Sequence, residues 1–240
     1  VVAGGPYPIV LFSHGSCGFP LQSIFLTAQL AAQGFVVIAP PHPGNTINEF
    51  PNCGTSTAQV NSFLERPQDV VFVLDQMLAE NESGASPFFG ALDPDRIAMS
   101  GHSFGGLTTY LVQAIEPRVK VAIPMAPAVV GSRKLTVPSL TMIGAIDTVV
   151  NNAATQTAFA ASDAPKTLVS IPNAGHYAFS GLCFASSDCN PPVTLTQDEA
   201  HGHVLRWVRP FLETYLNGDA SYAAFFLKPL PGEAVAQQLQ

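Results

Sequence analysis

Arg96-Ile97-Ala98-Met99-Ser100-Gly101-His102-Ser103-Phe104-Gly105-Gly106 decides how this chain reads. Arg96 to Ser100 is a short apolar strand, and a helix follows from Phe104 to Ile115. Between them lies G-x-S-x-G, a pattern that gains force from its setting between strand and helix. A serine on so sharp a turn has strained dihedrals, and glycines at 101 and 105 remove the Cβ atoms that would strike neighbouring backbone. Ser103 is then held clear of the sheet, with the amino end of the next helix aimed near its hydroxyl. That makes it a candidate nucleophile.

The same strand-then-helix alternation runs outward in both directions. Tyr7 to Ser13 is an apolar run ending in His14-Gly15, followed by a helical segment from Leu21 to Gln33 that stops at Gly34. Phe35 to Ala39 is a second strand, broken by Pro40-Pro41-His42-Pro43-Gly44, and a polar loop through Cys53 leads to a helix of roughly Pro67 to Glu80. After the central unit come strands at Val119–Met125, Ser139–Ile143 and Thr167–Ile171, a helix at Asn152–Ala161 and a closing amphipathic helix at Thr196–Leu216. Strands apolar on both faces and separated by helices describe an α/β fold with a mostly parallel sheet covered on both sides. In such sheets the chemistry gathers beyond the carboxyl ends of the strands.

A serine hydroxyl needs a base to take its proton, and the base needs an acceptor to orient it. The last strand ends in Asn173-Ala174-Gly175-His176 and the one before it in Gly144-Ala145-Ile146-Asp147. Ser103, Asp147 and His176 are therefore expected to act as nucleophile, orienting acid and base. Asp163 and Asp188 read as solvated or capping carboxylates, and His102 as packing beneath the nucleophile. His201 and His203, two apart on a helix, face different ways and suggest no metal pair. A tetrahedral intermediate also needs two donors aimed at its oxyanion. The N–H of Phe104 is one candidate, and that of Ser16, in His14-Gly15-Ser16-Cys17-Gly18, is the other. Phe19, Tyr177, Phe179 and Ala128 are candidates to line an apolar substrate site.

Composition sets outer limits. In 240 residues, 47% are hydrophobic, 11% are charged, and ten Lys plus Arg face seventeen Asp plus Glu. That is ample core material, which argues against disorder, and no basic run offers a nucleic-acid surface. Every apolar run is broken well short of the roughly 20 residues that span a bilayer. No Cys/His group has zinc spacing, so no metal is expected. Cys183 and Cys189 flank a short polar stretch and can close a local disulfide, leaving Cys17 with Cys53. Two disulfides imply a secreted or periplasmic chain, and four unrelated buried thiols are the alternative.

Ser13-His14-Gly15-Ser16, Pro41-His42-Pro43-Gly44-Asn45, Arg66-Pro67-Gln68-Asp69 and Gly101-His102-Ser103-Phe104-Gly105-Gly106 resemble the α/β-hydrolase superfamily. The likeness is to its bacterial branch of dienelactone-hydrolase-like and platelet-activating-factor-acetylhydrolase-like esterases. The elbow is similar, more distantly, to that of cutinase-type polyester hydrolases. The acetylhydrolase pattern carries its acid after the strand following the nucleophile, but here that strand ends Pro124-Met125-Ala126-Pro127-Ala128, which returns the acid to Asp147. Typical dienelactone hydrolases use Cys where this chain has Ser103, and polyester hydrolases usually present an aromatic where it has Ala128.

The resemblance implies one domain over 1–240 acting as a monomer without cofactor; the short segments between strands offer no large lid, and the chain opens at what would be the fold's third strand, either as a minimal version of the fold or with an amino-terminal segment lost. It implies a serine esterase, with short-chain or bulky small-molecule esters, or polymeric ones, as substrates. An amidase or peptidase on the same triad is the alternative chemistry, and a non-catalytic binding protein the alternative class.

Overall fold

The computed structural model describes residues 4–182, 188 and 194–240, apart from the side chains of Phe226 and Leu227. The strands are β1 (Tyr7–Ser13), β2 (Val36–Ile38), β3 (Leu92–His102), β4 (Val119–Met125), β5 (Ser139–Gly144), β6 (Lys166–Ile171) and β7 (Ala234–Gln238). The helices are α1 (Ile24–Ala32), α2 (Ser56–Glu82), α3 (Phe104–Ile115), α4 (Asn152–Ala161) and α5 (Gln197–Tyr215). One sheet holds the strands in the order β2-β1-β3-β4-β5-β6-β7, parallel throughout except that β7 runs antiparallel to β6.

Burial on both faces explains the apolar runs. Val10 and Phe12 of β1 join Leu26 and Leu30 of α1 and Trp207 and Phe211 of α5 on one side. Ile9 and Leu11 alternate to the other side, where they meet Val70 and Leu74 of α2 and Val112 of α3. Strand β1 therefore carries carbon on both of its faces, the pattern of a helix-covered parallel sheet. Fully burying one such leucine or phenylalanine contributes about 1.5–3 kcal/mol.

Two elements differ from expectation. The long helix starts at Ser56, not near Pro67, because Thr55 caps it by accepting from the Ala58 N–H at 3.3 Å. Pro67 lies inside the helix and is buried, forgoing one backbone hydrogen bond that its first-turn reading would have spared. The chain also does not close with a helix. A 3-10 segment, Ala220–Leu227, leads to β7, whose Ala-Val-Ala-Gln-Gln pairs Gln238 with Lys166 and Ala234 with Ser170. As an edge strand with one half-buried face, β7 lacks the apolar density that marks β1 to β6.

A disulfide joins Cys17 to Cys53 with Cα atoms 5.4 Å apart, as expected. It ties the loop after β1 to the segment before α2. Closing a loop of 36 residues contributes about 4 kcal/mol in the chain-entropy account. Cys183 and Cys189 lie outside the described residues. Among the described residues, no helix is long and apolar enough to cross a membrane, and no group of three or more His, Cys, Asp or Glu is placed to hold a metal ion.

Candidate active site

Ser103 follows β3 directly and caps α3 with φ 59° and ψ −117°, a region that an ordinary side chain enters only when its surroundings force it. The forcing contacts are visible. Ser103 N–H donates to the Met125 carbonyl at 3.0 Å, and the Ser103 carbonyl accepts from Ala128 N–H at 3.0 Å, so the end of β4 clamps the turn from both sides. A Cβ at Gly105 would overlap the Ser13 carbonyl, so only glycine lets β1 approach this closely.

Ser103 Oγ donates to His176 Nε2 at 2.8 Å, and His176 Nδ1 donates to Asp147 Oδ2 at 2.8 Å. The acid and base arrive on neighbouring loops. Ile146 N–H donates to the Ala174 carbonyl at 3.1 Å, and a Cβ at Gly144 would stand 2.7 Å from the Gly175 carbonyl, so the two loops cross in van der Waals contact. The Asp147 carboxylate has no exposed side-chain surface. Burial pushes its pKa up, but the His176 hydrogen bond and charge, with the amides of Val150 and Val149, outweigh that and hold it below its ordinary value. It is thus an anion at neutral pH, able to fix the imidazole tautomer and to stabilise an imidazolium.

His102 lies beneath this string. Gln22 Nε2 donates to its Nδ1 at 2.7 Å and its Nε2 donates to the His176 carbonyl at 2.9 Å, which fixes the neutral tautomer. Burial first, then the neighbouring His176, pulls its pKa down to about 3. Gln22 also accepts the Gly15 N–H at 3.1 Å through Oε1 and the Gly181 N–H at 2.7 Å through its carbonyl. One buried glutamine therefore joins the loop after β1, the elbow and the segment after His176. Sequence reasoning passed over it, since a lone Gln in a helical approach carries no signal.

The loop after β1 rests on Arg66. This guanidinium is fully buried and donates to the carbonyls of His14 at 2.5 Å and Gly15 at 3.1 Å, and to Asn45 Oδ1 at 2.5 Å. Its Cζ lies 4.8 Å over the Phe104 ring. Burial pulls its pKa down to about 9, against the opposing pull of Asp69, and it stays charged at neutral pH. Arg66 was visible in the sequence only as part of a resemblance motif. A second string lies behind it: Ser13 Oγ donates to His42 Nε2 at 2.9 Å, and His42 Nδ1 donates to Asp69 Oδ2 at 2.9 Å.

The other sequence candidates separate by position. Phe104 N–H is the first amide of α3, a donor no helix satisfies internally. Ser16 is exposed in the neighbouring turn, its Oγ accepting from Gln59 Nε2 at 2.6 Å, and a Cβ at Gly15 would stand 3.4 Å from Ser103 Cβ. Tyr177 is half-buried and edge-on to His176, ring centroids 5.3 Å apart; Phe19 and Ala128 are half-buried. Phe179 is a correction. The 3-10 turn His176–Phe179 sends it inward to the core, 0% exposed and packed near His102, so it lines no substrate surface. Asp188 packs against Gly175 and accepts the Tyr177 N–H at 2.6 Å, next to His176, but it is Asp147 that takes His176 Nδ1; Asp163 pairs with exposed Lys134 at 3.6 Å. His201 stacks on Phe25 and His203 pairs with Glu233.

A sequence profile described as PETase, PET hydrolase-like, matches residues 21–231. The chain is 29% identical over 177 residues to "Cutinase est1" of Thermobifida alba, covering 72% of this chain and 54% of the relative. It is 30% identical over 147 residues to "Cutinase est2" of the same organism, covering 60% and 43%. A "Putative carboxymethylenebutenolidase" of Yersinia pestis is 27% identical over 151 residues, covering 60% and 52%. The chain spans about half the length of the curated relatives it matches. These matches agree with the likeness to α/β-hydrolase esterases, and they bring the cutinase branch, read from the elbow as the more distant one, to the front.

Proposed function

The chain belongs to the PET hydrolase-like family, and from that premise we propose that it hydrolyses carboxylic esters through an acyl-enzyme on Ser103. The observation that carries this reading is the unbroken string Ser103–His176–Asp147, both links 2.8 Å, on an elbow at the head of α3. Ser103 Oγ attacks the ester carbonyl while its proton passes to His176 Nε2, and the Phe104 and Ser16 amides receive the charge on the carbonyl oxygen. The imidazolium, held by Asp147, returns the proton to the departing alkoxide. Water then repeats the sequence on the acyl-enzyme and frees Ser103.

A second reading, polyester hydrolysis, is favoured by the family match and the cutinase relatives, and by Ile146 and Val149, exposed apolar side chains flanking Asp147. A flat polymer needs such an open apolar rim to adsorb. The disulfide supports residence outside the reducing cytosol. The test is turnover of p-nitrophenyl acetate, an amorphous aromatic polyester film and a peptide anilide by wild type and Ser103→Ala. Ester turnover lost in the variant is expected. Equal turnover by both proteins, or cleavage of the anilide alone, contradicts the proposal.

A further inference from the structure

The loop after β1 must hold one backbone N–H still, and its own sequence gives it little means to do so. Ser16, the second oxyanion donor of the reading above, follows Gly15, and glycine turns about φ and ψ more freely than any other residue. The orientation is therefore imposed from outside. The 15–16 peptide unit is planar and trans, so the Gly15 carbonyl points opposite to the Ser16 N–H. That carbonyl accepts from His14 Nδ1 at 2.7 Å, from Gly18 N–H at 3.1 Å and from Arg66 at 3.1 Å, which aims the Ser16 N–H the other way. The peptide unit before it is held at its carbonyl end by Arg66 and at its N–H end by Gln22 Oε1, 3.1 Å from Gly15 N.

Gln22 takes its own orientation from the backbone of the base. The His176 carbonyl can only accept, so His102 Nε2, 2.9 Å away, carries the ring proton and leaves Nδ1 as an acceptor. Gln22 Nε2 must then face Nδ1, at 2.7 Å, which turns Oε1 onto the Gly15 N–H. Three hydrogen bonds thus run in one sense, from Gly15 to Gln22 to His102 to the His176 carbonyl, and bonds in such a chain polarise and strengthen one another. Gln22 and His102 are both buried. The main chain adds to the link: the Gln22 carbonyl accepts the Gly181 N–H at 2.7 Å, and Ser23 Oγ donates to the Phe179 carbonyl at 2.9 Å, both on the segment that follows His176. A side-chain amide donates and accepts at this spacing, which Glu, Met or Leu of similar size cannot do. Resting on the esterase reading above, we infer that Gln22 is a positioning residue: without touching substrate, it sets the oxyanion donor on the loop after β1 against the base on the loop after β6.

The test is kcat and KM for p-nitrophenyl acetate in wild type and Gln22→Met, with kcat expressed per serine titrated by a fluorophosphonate so that unfolded protein is not counted. In Gln22→Met kcat is expected to fall about 10²-fold, the effect of one misplaced oxyanion donor, with KM within about threefold of wild type. Ser162→Ala removes another buried side chain, one that accepts from Leu135 N–H and donates to the Ala158 carbonyl at the end of α4; it should lose stability and leave kcat unmoved. His102→Phe removes the next link at similar ring size. One broken chain is not broken twice, so the double variant should stay within about threefold of Gln22→Met. A Gln22→Met kcat within about threefold of wild type, or losses that multiply in the double variant, overturns the positioning role and leaves the esterase reading standing. Where Gln22→Met gives no titratable serine, His102→Phe carries the test, and a kcat within about threefold of wild type overturns the role in the same way. Wild type that cleaves no ester, or Ser103→Ala that cleaves it as fast, overturns the esterase reading and the positioning role together.

Discussion

Two Ser–His–Asp strings leave neighbouring strand ends in this molecule, one at Ser103 and one at Ser13. Their links are nearly equal, 2.8 and 2.8 Å against 2.9 and 2.9 Å. What separates them is everything around the serine. Ser103 is half-buried on a strained turn, beside the first amide of a helix. Ser13 is 0% exposed at the end of β1, paired in register with Gly101, and its Oγ accepts from the buried Arg66 guanidinium at 3.5 Å. On the proposed reading, proton-relay distances do not suffice for nucleophilic chemistry; the backbone must also lift the oxygen to the surface and aim donors at an oxyanion. The buried string instead ties β1 to α2 and, with Arg66, fixes the loop that carries Ser16.

Exchanging the serines exposes the contrast most sharply. Ser103→Ala should lower kcat by about 10⁴-fold or more, whereas Ser13→Ala should cost about 1 kcal/mol of stability and leave kcat nearly unchanged. Ester kinetics with denaturant unfolding of both variants checks this, and a large kcat loss at Ser13 would erase the distinction. The acids should follow suit. Asp147→Asn should lower kcat by about 10⁴-fold by favouring the wrong imidazole tautomer, while Asp69→Asn should act on stability.

Arg66→Met probes the link between the strings. It frees the His14 and Gly15 carbonyls to turn toward the oxyanion, and a fall of about 10²-fold in kcat with little change in KM is expected. A change in KM alone would mean that Arg66 serves substrate binding and not the placing of the Ser16 amide.

Acid should act on the molecule through buried imidazoles. His14 and His102 are pulled down to about 3, chiefly by burial, and His42 of the second string is also lowered, by burial against the pull of Asp69. In the unfolded chain these rings take protons near pH 6.5, so below that pH the unfolded state binds more protons and stability falls toward pH 3. His14 and His102 alone give a slope approaching about 3 kcal/mol per pH unit near pH 4.5. Lowered Asp147 adds loss in the carboxylate range. Denaturant unfolding across this window measures the slope, and a flat line would contradict neutral buried rings.

Legibility in the sequence followed local physics. Ser103, Asp147 and His176 each stand just past an apolar strand, so the ends of β3, β5 and β6 could be read as the site's frame. Helices α3 and α4 fell at Phe104–Ile115 and Asn152–Ala161, the bounds their patterns indicate. What stayed hidden depends on partners distant in the chain. Gln22 matters because His102, eighty residues away, sits under it. Arg66 shows in the sequence only as part of a motif, and its role depends on the His14 and Gly15 carbonyls and the Phe104 ring that bury it. Phe179 and Tyr177 are equivalent aromatics until the 3-10 turn buries one and leaves the other at the rim. Strand β7 exists only because β6 offers it an edge.

Labelling with a fluorophosphonate separates the two strings most directly. The reagent forms a P–O bond to an activated serine and releases fluoride, while the serine's proton passes to its histidine. Peptide mass spectrometry after stoichiometric inactivation should place the adduct on Ser103 with Ser13 unmodified. Inactivation with the adduct on Ser13, or full ester turnover surviving complete modification of Ser103, would contradict the account.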